Sequence, residues 1–147
     1  MTLSVGQREV FCIGKSELSV ITKAKDLNSY IMTVTDKSPK RFRFTLVTRM
    51  QNYGLDIIEN LIYANEIYVG TSESADVQER VRLQRKAMTE LKLLGYISEL
   101  AMKQQCILPK QYEQITKHIY DTQNMLGAWM NSDKKRYAAR NVHHIQG

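Results

Sequence analysis

Residues 46–67 read LVTRMQNYGLDIIENLIYANEI, and apolar side chains recur in this stretch every three or four positions. That period places them on one side of an α-helix, which can bury them against other helices. The helix is predicted to run from about residue 39 to residue 68, a length of about 45 Å. Its predicted inner face consists of Leu46, Met50, Tyr53, Ile57, Leu61, Ala64 and Ile67, widened by Phe42, Leu55, Ile58 and Ile62.

Three other segments repeat this pattern, with apolar stripes over residues 18–34, 83–101 and 112–129. Ser16 and Ser38 are the predicted N-caps of the first two helices, because a serine hydroxyl can accept a hydrogen bond from a free helical N–H. Four amphipathic helices with short connections pack most simply as an all-α, up-down-up-down four-helix bundle. The breaks between the helices fall at residues 38–39, 70–74 and 108–109.

The composition supports one helical domain. Of the 147 residues, 43% are apolar and 24% charged, and there are only seven glycines and two prolines, which favours long helices over turn-rich β-structure. No signal-peptide pattern is present, and no apolar run reaches the roughly 18–20 residues of a membrane span. A cytoplasmic protein without a membrane partner is therefore expected. We predict an N-terminal arm at residues 1–15, the bundle at residues 16–133 and a basic and polar C-terminal tail at residues 134–147.

The sequence contains no motif for catalysis or metal binding. Helix bundles that hold two metal ions use Glu-x-x-His on two helices, but Asp56 and Glu59 have no histidine near them in the sequence. None of His118, His143 and His144 follows a glutamate by three residues. The cysteines, Cys12 and Cys106, show no Cys-x-x-Cys or Cys/His spacing, and the glycines are isolated. We expect a protein that is not an enzyme and uses no metal and no cofactor.

Positive charge is concentrated in three clusters. Lys and Arg total 21 against 15 Asp and Glu, a net charge of +6, which favours a polyanionic partner. Cations at the start of a helix oppose its dipole, so the first cluster indicates a bound anion. The alternative is that each cluster is an ordinary solvated surface. The clusters are Lys37, Lys40, Arg41 and Arg43 at the start of the second helix, Arg82, Arg85, Lys86 and Lys92 along the third, and Lys134, Lys135 and Arg136 after the fourth. Without a recognition-helix or zinc-finger motif, the expected mode is salt-sensitive binding to a nucleic-acid backbone.

Four motifs in the chain resemble a known family. They are KSPKRFRF at residues 37–44, DIIEN at residues 56–60, LPKQY at residues 108–112 and LGAWMNSD at residues 126–133. Over about residues 16–137 the sequence is similar to the accessory variability determinant (Avd) family, whose members accompany the reverse transcriptase of diversity-generating retroelements. That family is related to the S23-type four-helix bundles encoded in intervening sequences of ribosomal RNA genes.

The resemblance implies a homopentamer with a basic surface that binds the reverse transcriptase, its template RNA and the cDNA. Such a protein supports mutagenic cDNA synthesis without being the polymerase itself. By position, the eleven cations of the three clusters are the residues implied in these contacts. Two alternatives stay open: an S23-type bundle associated with ribosomal RNA, and a protein-interaction module.

Overall fold

Every regular element of the described chain is helical. The computed structural model describes residues 17–69 and 74–146, with side chains for all of these except Ser74 and residues 140–146. A 3-10 turn at Lys40–Phe42 and a π-helical turn at Arg43–Val47 lead into the second helix. The four α-helices are α1 at Ser19–Asp36, α2 at Thr48–Glu66, α3 at Ser74–Lys103 and α4 at Pro109–Gln146.

The four helices pack in an antiparallel ring, in which α1 contacts α2, α2 contacts α3, α3 contacts α4, and α4 returns to α1. Pro39, in the α1–α2 connection, and Pro109, the first residue of α4, lie at one end of the bundle, called the proline end below. Helix α1 begins and α2 ends at the opposite end. Over the described residues, the predicted all-α arrangement of four helices is confirmed.

The predicted apolar stripes form the core. Leu27 of α1, Ile57 of α2, Leu94 of α3 and Leu126 of α4 are fully buried, because each lies on the helix side that faces the other three helices. Trp129 is also buried, as expected for core packing.

The prediction was wrong for two residues of α2. Leu55 and Ile62 lie two and five residues from Ile57, which at 100° per residue turns both of them outward. They are 47% and 41% exposed. Gly54 and Asn60 are buried in this helix instead.

The starts of the first two helices also differ from the prediction. Helix α1 begins at Ser19, and Leu18 at its N-cap position makes no side-chain capping bond. Ser16 lies outside the described residues, as does the predicted arm at residues 1–15. Ser38 is not the residue before the next helical turn, since Pro39 holds that position in an extended conformation.

Helix α4 is longer than predicted, because its backbone stays helical through residues 134–146. The basic run at residues 134–136 therefore does not end the helix. These residues include Lys, Arg and Ala, which are good helix formers, and no Gly or Pro interrupts them before residue 147. Within the described ranges, no helix has the length and apolarity required to cross a membrane.

Candidate nucleic-acid interface

All eleven cations predicted to contact nucleic acid are exposed at the surface. Among the described side chains, Arg82 is the only one of them in an ion pair with a carboxylate. Arg41 instead stacks over the ring of Phe42, with its guanidinium carbon 4.7 Å from the ring centroid. Most of the predicted positive charge is therefore free to meet an anionic partner.

The first cluster lies at the proline end, in the turns before α2. Lys40 and Arg43 line a cavity of about 310 Å³ between the end of α1 and the start of α2. Asp36 lies in the wall of the same cavity and offsets part of their charge. Arg41 lies close enough to Cys106, in the α3–α4 connection, to affect its thiol. Burial raises the pKa of Cys106 above its ordinary value, with Ser38 and Arg41 opposing this rise, so the thiol behaves as a small apolar side chain.

The second cluster is divided between two faces of α3. Arg82 donates two hydrogen bonds to Glu79, at 2.7 and 2.9 Å. This pair lowers the pKa of Glu79 and raises that of Arg82. Arg82 and Lys86 line a groove of about 490 Å³ between α2 and α3, whose other lining residues include Asp56, Glu59 and Tyr63.

This α2/α3 groove therefore has mixed charge. The acids Asp56 and Glu59 line the same groove as Arg82 and Lys86. Beneath them, Asn60 donates a 2.8 Å hydrogen bond to the buried carboxylate of Glu90. Burial raises the pKa of Glu90, and Asp56 and Glu59 raise it further, while Asn60 and Lys86 lower it. A polyanion would meet carboxylates here, so the groove is a poor phosphate site.

Arg85 and Lys92 lie on the other face of α3. They are seven residues apart, or two helical turns, and both are exposed. Neither makes a hydrogen bond or an ion pair through its side chain within the described part of the chain. These two cations are the part of the second cluster that suits a phosphate backbone.

The third cluster continues along α4 directly after a buried ion pair that holds α4 against α3. Arg80 donates to both carboxylate oxygens of Asp133, at 2.8 and 2.9 Å. Gln84 donates a further 2.9 Å bond to Asp133. Arg80 also lies over Trp129, with its guanidinium carbon 4.9 Å from the ring centroid. This network fixes the start of the third cluster, Lys134, beside the first half of α3.

The structure does not bring the three clusters into one patch. The third cluster and most of the second lie in the half of the bundle opposite the proline end. Arg82 precedes the end of α3 at Lys103 by 21 residues, which corresponds to about 30 Å along the axis. Lys92 lies nearer, 11 residues or about 16 Å from the same end.

Exposed tyrosines are a feature of the surface that the sequence did not indicate. Four tyrosines are exposed: Tyr63, Tyr68, Tyr96 and Tyr120. Helical periodicity could have identified Tyr120, because it lies one position beyond the buried residue Ile119 and so faces away from the core.

The fold and this surface define an antiparallel four-helix bundle that presents unpaired cations and aromatic rings to solvent. Neither a protein-family model nor a curated protein sequence matches the chain. The Avd resemblance therefore stays a prediction from the four motifs.

Proposed function

We propose that this protein is a non-catalytic, nucleic-acid-binding accessory subunit of a retroelement reverse transcriptase. It binds the enzyme together with its template RNA and supports mutagenic cDNA synthesis. The observation that carries the proposal is the exposure of all eleven cations, of which only Arg82 is paired with a carboxylate among the described side chains. Side chains of this kind release counterions when they neutralise phosphates, which drives binding without base recognition.

The protein acts as a homo-oligomer in this proposal, with five copies in a ring. A closed ring needs two different surfaces on each copy, one for each neighbour. Two apolar patches suit this role: Leu55 and Ile62 on α2, and Leu93 and Tyr96 on α3, all of them exposed. In a ring the basic surface of each copy is repeated, so a bound RNA meets several equivalent sites.

The test is a pull-down of the tagged full-length protein from its own cells, followed by RNA sequencing and mass spectrometry of the captured material. We expect a reverse transcriptase and one structured template RNA. A parallel pull-down with Arg85→Gln and Lys92→Gln separates direct RNA capture from capture through the enzyme, since only the former should fall. Recovery of ribosomal RNA without a reverse transcriptase would favour the S23-type alternative, and recovery of no nucleic acid would overturn the proposal.

A further inference from the structure

The outer surface between α3 and α4 combines exposed cations with an exposed aromatic ring. Two contacts fix how these helices lie side by side. Gln84 is level with Asp133, to which it donates a hydrogen bond. Near the proline end, a Cβ added at Gly95 would lie 3.9 Å from the side chain of Ile119. Arg85 and Lys92 lie between Gln84 and Gly95 on α3. Along the bundle axis they are therefore at the height of the α4 segment between Ile119 and Asp133.

Three residues of α4 recur at intervals of seven and so share one face: Tyr120, Gly127 and Lys134. The α1 side of α4 is marked by His118, whose ring lies 5.3 Å from that of Tyr30, and by Asp121, which shares a cavity with Lys23. Each residue turns the helix by about 100°. Measured from the buried Leu126, Tyr120, Gly127 and Lys134 lie on the side of α4 opposite to its α1 side, and so toward α3. With Arg85 and Lys92 they form what we call the α3/α4 face.

No carboxylate lies on this face between the level of Gln84 and the level of Tyr120. The acids that continue the same series of seven, Glu99 on α3 and Glu113 on α4, lie beyond Tyr120 toward the proline end. Between residues 80 and 98 of α3 and residues 114 and 137 of α4, the acids are Glu90, Asp121 and Asp133. Glu90 is buried against Asn60 of α2, Asp121 lies toward Lys23 of α1, and Asp133 is buried with Arg80. The α3/α4 face thus differs from the α2/α3 groove, where acids oppose the cations.

The shape and chemistry of the face suit an unpaired nucleotide strand. Tyr120 is 64% exposed, and such a ring can stack on any base, but only on one whose face is not covered by a neighbouring base. Open space surrounds the position where a Cβ would stand at Gly127, so a strand can approach the backbone of α4 there. The distance along α3 from Gln84 to Lys92 is eight residues, or about 12 Å. This length corresponds to roughly three to four stacked nucleotides at about 3.4 Å each.

We propose that the α3/α4 face binds single-stranded nucleic acid, with a base stacked on Tyr120 and phosphates contacted by Arg85, Lys92 and Lys134. This inference rests on the proposed function and adds the strandedness and the location of the bound nucleic acid. Duplex is a weaker ligand because its bases are already stacked on one another.

The test measures binding by fluorescence anisotropy with a labelled, unstructured RNA of about 20 nucleotides, the DNA of the same sequence, and the RNA annealed to its complement. We expect both single strands to bind more tightly than the duplex. Tyr120→Ala should weaken single-strand binding at least about fivefold, and Tyr120→Phe, which keeps the ring, should restore it. The matched control is Tyr63→Ala, since Tyr63 is 57% exposed in the α2/α3 groove.

Two further variants separate binding from folding. Gly127→Leu fills open space at a partly buried helical position, so we expect unchanged or higher thermal stability together with weaker binding. Arg85→Gln with Lys92→Gln should weaken binding and its salt dependence more than Arg82→Gln with Lys86→Gln.

Equal effects of Tyr120→Ala and Tyr63→Ala, or tighter binding of the duplex, would overturn the inference and leave the proposed function standing. Failure of the wild-type protein to bind any of the three nucleic acids would overturn both. Binding that falls equally in both double variants would place the phosphates elsewhere and also count against this face.

Discussion

Glu90 and Asp133 are both buried carboxylates, but their partners differ. Asp133 receives three hydrogen bonds, two of them from the guanidinium of Arg80. Glu90 receives one from the neutral amide of Asn60, and its nearby charges include the acids Asp56 and Glu59. Neither environment could be predicted from the sequence, because a buried polar residue interrupts the apolar period without indicating which helix will supply its partner.

Glu90 should make the fold less stable at neutral pH. Its pKa is raised above the ordinary value of 4.5, so the folded state holds this proton more tightly than the unfolded state does. Its contribution to the free energy of unfolding is therefore lost as pH rises above 4.5 through the raised pKa. We expect Glu90→Gln, which keeps the acceptor for Asn60, to have a higher urea midpoint than wild type at pH 7. The difference should vanish in the same titration near pH 4, and a constant difference at both pH values would contradict this account.

Asp133 should be among the most important single residues for stability. Asp133→Ala leaves the buried guanidinium of Arg80 without its carboxylate, which costs about 3–5 kcal/mol in comparable buried pairs. The measurement is urea unfolding followed by circular dichroism. Replacing both partners, with Arg80→Met and Asp133→Leu, should recover most of the loss, because no charge is left buried and unpaired.

The control for this pair is Lys103→Ala. Lys103 forms a 2.9 Å ion pair with Glu99, but both side chains are largely exposed to solvent, so we expect only a small change in the urea midpoint. Similar losses of unfolding free energy for Asp133→Ala and Lys103→Ala would show that the buried Arg80–Asp133 pair stabilises the fold no more than an exposed ion pair does.

At the scale of the helices, the apolar period predicted what is buried better than it predicted where helices end. Helix α3, at Ser74–Lys103, lies between the predicted breaks at residues 70–74 and 108–109. The end of α4 was missed because the prediction took a change in charge as a boundary, whereas helix formation depends on backbone propensity and packing. The 3-10 and π-helical turns before α2 were missed, because the apolar stripe does not distinguish them from α-helix.

Gly54 allows α1 and α2 to approach closely, which gives a test of how they pack. A Cβ at Gly54 would lie 2.6 Å from Oδ1 of Asn28, an atom that is buried without a hydrogen-bond partner. We expect Gly54→Ala to lose most of the gain of about 1 kcal/mol in helix propensity in wild type, because the Asn28 side chain must shift to make room for the Cβ. In an Asn28→Ala background the clash is absent, so the same substitution should stabilise the fold.

A double-mutant cycle in urea measures this coupling, which we expect to be about 1 kcal/mol. Gly127→Ala is the matched control, because a Cβ there meets no neighbouring atom. It should stabilise both backgrounds equally, by up to about 1 kcal/mol. Equal gains from Gly54→Ala in both backgrounds would exclude the close contact.

At the scale of the whole molecule, the order in which the helices pack decides which cations face acids. The cation-rich α3/α4 face follows from the antiparallel order of the helices, which sets Lys134 beside Arg85 although the two are 49 residues apart. The sequence predicted each cluster of cations, and all their members are exposed. It could not predict that acids of α2 would oppose Arg82 and Lys86, since this depends on which helices are neighbours.

The exposed apolar residues predict the assembly state. Leu55 and Ile62 lie seven residues apart on one outward face of α2, with Ile58 half-buried between them, and such a patch is stabilised by contact with another copy. Light scattering at micromolar concentration should give a multiple of the 17.0 kDa chain mass, fivefold for the proposed ring. Ile62→Glu should lower the mass without loss of helicity, whereas Met125→Glu, at a similarly exposed position on α4, should keep it. A 17.0 kDa monomer in wild type would count against the ring, because each copy would then leave both apolar patches in water.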